Sequence, residues 1–121
     1  MPVSTPKTAK TDHDRRRRRH QRYRGDFQVH VSFLEGDKYC RLEGHCRDLS
    51  EAGIGILLAT ELKNGEVAGL TFSLPGSNTE WQVRAVVRYR RGYHYGFEFL
   101  SLKPELQESL KTYLTGLKPL D

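Results

Sequence analysis

From Phe27 to Phe99 apolar residues keep returning to every second position, and that period constrains the fold more than any other feature. Alternation of this kind turns one face of an extended segment into a core and leaves the other in water. Phe27, Val29, Val31 and Phe33 alternate with Gln28, His30 and Ser32, which predicts a first strand. Glu35-Gly36-Asp37-Lys38 then makes a hairpin turn into a second strand over Tyr39 to Arg47. There Cys40, Leu42, Gly44 and Cys46 oppose Arg41, Glu43, His45 and Arg47.

Asp48-Leu49-Ser50-Glu51-Ala52-Gly53 reads as a turn, and Ile54 to Ala59 as a third strand buried over much of its surface. Asn64-Gly65 precedes a fourth strand, Val67 to Leu74, and Pro75-Gly76-Ser77-Asn78 turns the chain again. The fifth strand runs from Glu80 to Arg90, with Trp81, Val83, Ala85, Val87 and Tyr89 on one face. Arg91-Gly92 closes a hairpin into Tyr93 to Phe99. The period then changes. Pro104 suits a first helical turn, and Leu106, Leu110, Tyr113, Leu114 and Leu117 recur at helical spacing, with Gly116 at the exit. The expected architecture is all-β with a C-terminal helix: a six-stranded antiparallel β-barrel whose opening the helix covers.

A chain of 121 residues suffices for one domain with its own core. Its charge is unevenly placed. Residues 1–24 hold nine Lys/Arg against Asp12 and Asp14, whereas the rest holds eleven bases against thirteen acids. Positive charge is therefore attached to a mildly acidic domain, while a nucleic-acid-binding domain more often spreads it over a folded face. No apolar run reaches the roughly 20 residues that span a bilayer, and the N-terminus lacks the apolar segment of a secretory signal. A cytoplasmic location without membrane insertion is expected. Cys40 and Cys46 fall in one strand, separated by roughly 20 Å at about 3.3 Å per residue. A disulfide needs Cα atoms about 4.4–6.8 Å apart, so neither a bridge nor a metal site is expected, and both read as small hydrophobes.

Residues 1–14 are polar, with Pro2 and Pro6, and are expected to be disordered. Residues 15–25 form an arginine-rich arm, and residues 26–117 the barrel with its helix. Seven of the ten residues from Arg15 to Arg24 are arginines, with no acid among them. A guanidinium is a planar fork of five donors that suits phosphates and the acceptor edge of guanine. On its own this stretch also reads as a solvated basic tail or nucleic-acid arm. Asp48 and Ser50 on their own equally read as turn formers bonded to their own backbone.

Arg18-x-x-x-Arg22 and Asp48-x-Ser50-x-x-Gly53 occur together, followed by Tyr95-Gly96-Phe97-Glu98-Phe99. Over about residues 15–115 this order resembles the PilZ domain family, receptors for the bacterial second messenger cyclic di-GMP. The resemblance implies the same barrel-plus-helix fold and implies cyclic di-GMP as ligand, with no cofactor. It maps ligand contacts onto Arg18, Arg22, Asp48 and Ser50, with Gly53 as a backbone position. Arg17, just before the first motif, is implied as a further contact that favours a stacked pair of ligand molecules. Arg19 and Tyr89 are additional candidates, Tyr89 standing where many relatives carry tryptophan.

The residue chemistry suits that ligand. Arginines match its two phosphodiesters and guanine O6/N7, while the N1–H and N2–H donors of guanine need an acceptor such as ionised Asp48, aided by the Ser50 hydroxyl. Gly53 is expected to adopt turn angles closed to other residues. No triad or carboxylate pair argues for catalysis, and His13, His20, His30, His45 and His94 show no metal spacing and receive no role. The expected function is a non-enzymatic receptor whose arm orders on binding and signals to a protein partner. The alternatives are a nucleic-acid-binding barrel, which leaves Asp48 unexplained, and an adaptor that has lost its ligand.

Overall fold

The computed structural model describes residues 20–117. The expectations for residues 1–14 and for Arg17, Arg18 and Arg19 lie outside the described residues. The strands are β1 (Tyr23–Glu35), β2 (Lys38–Leu49), β3 (Gly53–Leu57), β4 (Val67–Phe72), β5 (Trp81–Arg91) and β6 (His94–Phe99), followed by helix α1 (Pro104–Thr115). All pair antiparallel and close into a barrel in the order β1-β2-β3-β6-β5-β4. The expected all-β barrel with a C-terminal helix is the fold observed.

The inward residues are those that period two selected. Val29, Val31, Leu70, Val83, Ala85 and Val87 all join one cluster. α1 starts at Pro104 and buries Leu106, Leu110 and Leu114, spaced four residues apart, in that same cluster. The hairpin turns at Gly36 and Gly92 take φ of 65° and 63°, a region costly for any residue with a Cβ. Cys40 and Cys46 are both free, and burial pushes the Cys46 thiol well above its ordinary pKa. The fully buried Tyr95 accepts a hydrogen bond from the Leu62 N–H at 3.0 Å and donates to the Thr60 carbonyl at 2.5 Å. It thereby fastens the segment between β3 and β4 to the barrel.

Element boundaries differ from the alternation in instructive places. β1 begins at Tyr23, so Tyr23 and Arg24 pair with Leu49 and Asp48 although no alternation marks them. β3 stops at Leu57 and β4 at Phe72, yet Leu58 and Leu74 stay buried. An apolar run continues wherever the chain still faces the core, paired or not. The larger departure is irregular register: the ladders slip between Arg24 and Phe27, between Cys46 and Asp48, and between Val87 and Tyr89.

Candidate functional site

Two of those slips build a site. Cys46 faces the core opposite Ile56, and strict alternation would point Asp48 inward as well. The extra residue, Arg47, resets the phase, so Asp48 pairs with Gly55 on the other face of the sheet. On β5, Val87 packs inward opposite Phe97, and the extra residue Arg88 turns Tyr89 outward opposite Gly96. This corrects the expectation that Tyr89 shares a face with Val83, Ala85 and Val87. Since Gly55 itself pairs with Gly96, one row crosses four strands: Asp48, Gly55, Gly96, Tyr89.

The two central glycines let the outer side chains lie down. A Cβ at Gly55 would come within 2.7 Å of both Asp48 carboxylate oxygens, and one at Gly96 would overlap the Tyr89 ring. Arg22, just ahead of β1, bridges the pair: its guanidinium donates to Asp48 Oδ1 at 2.8 Å and to the Tyr89 hydroxyl at 3.1 Å. Burial works against the Arg22 charge, but the hydrogen bond and charge of Asp48, with help from Tyr89, outweigh it and raise its pKa above the ordinary arginine value. The Asp48 side chain is only 13% exposed. Its other oxygen, Oδ2, lies 3.4 Å from His94 Nε2, and the His94 ring stacks on Tyr89 with centroids 5.9 Å apart at 22°.

Ser50 and Gly53 are placed beside this row, Ser50 in the turn-forming arrangement that its sequence also allows and Gly53 for a reason other than the one expected. The Ser50 hydroxyl accepts from the backbone N–H groups of Ala52 and Gly53, both at 3.1 Å, and so closes its own turn. Gly53 has no positive φ. It is required instead because a Cβ there would run into the Phe97 carbonyl oxygen on β6. Ser50 and Gly53 nonetheless line, with Arg22, Asp48, Gly55 and Tyr89, a cavity of about 780 Å³. Arg88 and Glu98, joined by an ion pair at 2.5 Å, border it, as does His20.

The structure therefore brings together Arg22, Asp48, Ser50, Gly53 and Tyr89. The sequence reading missed Gly55, Gly96 and His94. Glycine inside a strand was the available signal for a close approach, but nothing local links His94 to Asp48. The cavity offers a cation and a carboxylate side by side over a glycine floor, which suits a ligand carrying both anionic groups and N–H donors. Among the described residues no cluster of His, Cys, Asp and Glu could hold a metal, and no helix is long and apolar enough to cross a membrane.

Comparison with known proteins gives a consistent result. The profile of the PilZ domain matches residues 16–116. A protein of Aquifex aeolicus (strain VF5) is 31% identical over 101 residues, covering 81% of this chain and 48% of that protein. The chain thus spans about half the length of this relative. The PilZ domain with c-di-GMP of YcgR from Escherichia coli superposes with a TM-score of 0.62 at 21% identity, covering 84% of this chain and 91% of that one. The PilZ domain of CeSA from a cellulose-synthesizing bacterium gives 0.59 at 18% identity, over 78% and 95% of the two chains. The Bacillus subtilis inhibitor of motility (MotI/DgrA) gives 0.62 at 23%, over 83% of this chain and 50% of that one. At such identities the structural likeness is one of fold.

Proposed function

The chain belongs to the PilZ domain family, and we propose that it is a cyclic di-GMP receptor rather than an enzyme. The observation that carries this reading is the Asp48 carboxylate, 13% exposed and bonded to Arg22 inside the cavity. Phosphates alone would call for arginines and no carboxylate. A guanine calls for both, since its O6 and N7 accept while its N1–H and N2–H donate.

On binding, Arg22 leaves Asp48 Oδ1 and turns its fork to phosphate or to the guanine O6/N7 edge. The freed oxygen accepts from guanine N1–H and N2–H, and Tyr89 supplies an aromatic wall. Arg17 and Arg18, with Arg19 alongside, contact the ligand from residues 15–25, and the arginine at 17 favours a stacked pair. The ordered arm then presents a new surface to a protein partner, with residues 26–117 as the barrel on which it closes. A nucleic-acid arm would explain the arginine run but would set Asp48 against every phosphate it approached.

Calorimetric titration with cyclic di-GMP, with GTP, cyclic di-AMP and short DNA as controls, tests the reading. Cyclic di-GMP should bind, cyclic di-AMP poorly, and Arg22→Ala should abolish binding while leaving circular dichroism unchanged. Residues 15–24 should gain hydrogen-exchange protection from cyclic di-GMP. Equal affinity for the two cyclic dinucleotides, or unaltered binding by Arg22→Ala, would remove the claim.

A further inference from the structure

The slip between Val87 and Tyr89 does more than turn Tyr89 outward. Arg88, the extra residue, also lines the cavity, so an arginine and an aromatic ring follow one another along its wall. Of the four arginines on β5, Arg84, Arg88, Arg90 and Arg91, only Arg88 does so. Its Nε donates to Glu98 Oε1 at 2.5 Å, and Glu98 borders the same cavity from β6. The cavity therefore holds two arginine–carboxylate pairs, Arg22–Asp48 and Arg88–Glu98.

The pairs stand over different parts of one floor. Asp48 lies over Gly55, whose partner on β6 is Gly96, whereas Glu98 is the cross-strand partner of Gly53. Asp48 is two strand spacings from β6, roughly 10 Å, and Glu98 is two residues beyond Gly96, roughly 7 Å. That diagonal exceeds the span of one purine and suits a ligand with two bases. The second pair also contributes little to folding. Its side chains are 57% and 49% exposed, and an ion pair so open to water is worth little. Arg88 is held through Nε, and among the described residues its two terminal amino groups make no hydrogen bond.

We propose that Arg88 and Glu98 read the second guanine of the same cyclic di-GMP molecule. This rests on the receptor reading above. A phosphate would call for Arg88 alone, whereas a guanine calls for a donor fork and an acceptor together. The bond between the two side chains keeps them side by side, in the order in which the guanine edge presents acceptors and then donors. The terminal amino groups of Arg88 donate to O6 and N7, and Glu98 accepts from N1–H and N2–H. Adenine in that place sets its N1 lone pair against the Glu98 carboxylate and has no N2–H to donate. Asp48 thus selects one guanine and Glu98 the other.

The test is calorimetric titration of the full chain with cyclic di-GMP and with cyclic GMP–AMP, which carries one guanine and one adenine. Native protein should bind the hybrid at least about tenfold more weakly, because its one guanine goes to Asp48 and its adenine meets Glu98. Glu98→Ala should weaken cyclic di-GMP and bring the two ligands within about threefold of each other. Glu98→Gln still offers Arg88 an acceptor oxygen, yet it should narrow the ratio in the same way, which a merely structural role would not. Arg88→Ala should weaken cyclic di-GMP at least about fivefold, with circular dichroism unchanged. Arg84→Ala, on the same strand but outside the cavity, should alter neither affinity. Equal native affinity for the two ligands, a ratio that both Glu98 variants leave intact, or unaltered binding by Arg88→Ala overturns this inference alone. No binding of cyclic di-GMP by native protein overturns the receptor reading and this inference with it.

Discussion

An alanine at Gly55 would put a Cβ within 2.7 Å of both Asp48 carboxylate oxygens, well inside contact distance, while the backbone there carries no positive φ to be strained. The carboxylate must swing away, taking the acceptor out of line with the cavity. Gly55→Ala should therefore weaken cyclic di-GMP by tenfold or more, about 1.4 kcal/mol, in calorimetry, with the barrel still folded by circular dichroism. Retained affinity would show that Asp48 need not lie over the glycine floor. The motif residues were legible because their chemistry is local to short patterns: Arg22 offers a fork, Asp48 an acceptor. Ser50 was legible only as an alternative between ligand contact and turn former, and its hydroxyl accepts from the N–H groups of Ala52 and Gly53. His94 was illegible, since its neighbour Asp48 lies on a strand remote in sequence.

At the scale of elements, the apolar patterns identified all six strands and the helix, but where a strand is read by alternation a single extra residue inverts the phase of everything after it. Arg47 and Arg88 are such residues, and each is an arginine like the exposed Arg41 and Arg84 of the same strands, so nothing in its type marks the slip and Tyr89 was assigned to the wrong face. The helix shows the opposite case. Its Leu106, Leu110 and Leu114 were read directly from a period of about four, and each is at most 3% exposed. Leu110→Ala should destabilise the domain by about 2–5 kcal/mol through lost burial and the cavity left behind. By contrast, Arg88→Ala removes an ion pair whose side chains are 57% and 49% exposed, which should cost less than about 1 kcal/mol. Urea unfolding of the two variants checks this ordering, and a Leu110→Ala loss no larger than that of Arg88→Ala would show that α1 contributes little to the core.

At the scale of the whole molecule, charge is segregated. The seven arginines within residues 15–24 stand beside a domain that holds eleven bases and thirteen acids over residues 25–121. That arrangement could serve a polyanion or a small dianion, and ionic strength separates the two. A duplex carries a condensed counterion atmosphere, so neutralising about 6–10 of its phosphates costs on the order of 10³–10⁵ in affinity between about 50 and 200 mM salt. Cyclic di-GMP carries two phosphodiesters and no such atmosphere, and part of its grip comes from guanine hydrogen bonds in a partly enclosed cavity, where screening is weak. Its affinity should fall by no more than about tenfold over the same interval. Asp48→Ala sharpens the contrast: it removes the guanine acceptor and should weaken cyclic di-GMP at least about tenfold, yet it removes a charge that repels phosphate and should leave duplex binding unchanged or stronger. Titration of both ligands against native protein and Asp48→Ala across that salt range decides the matter. A steep salt dependence for cyclic di-GMP, or duplex binding that depends on Asp48, would mean that the arm and the carboxylate do not act together on one guanine.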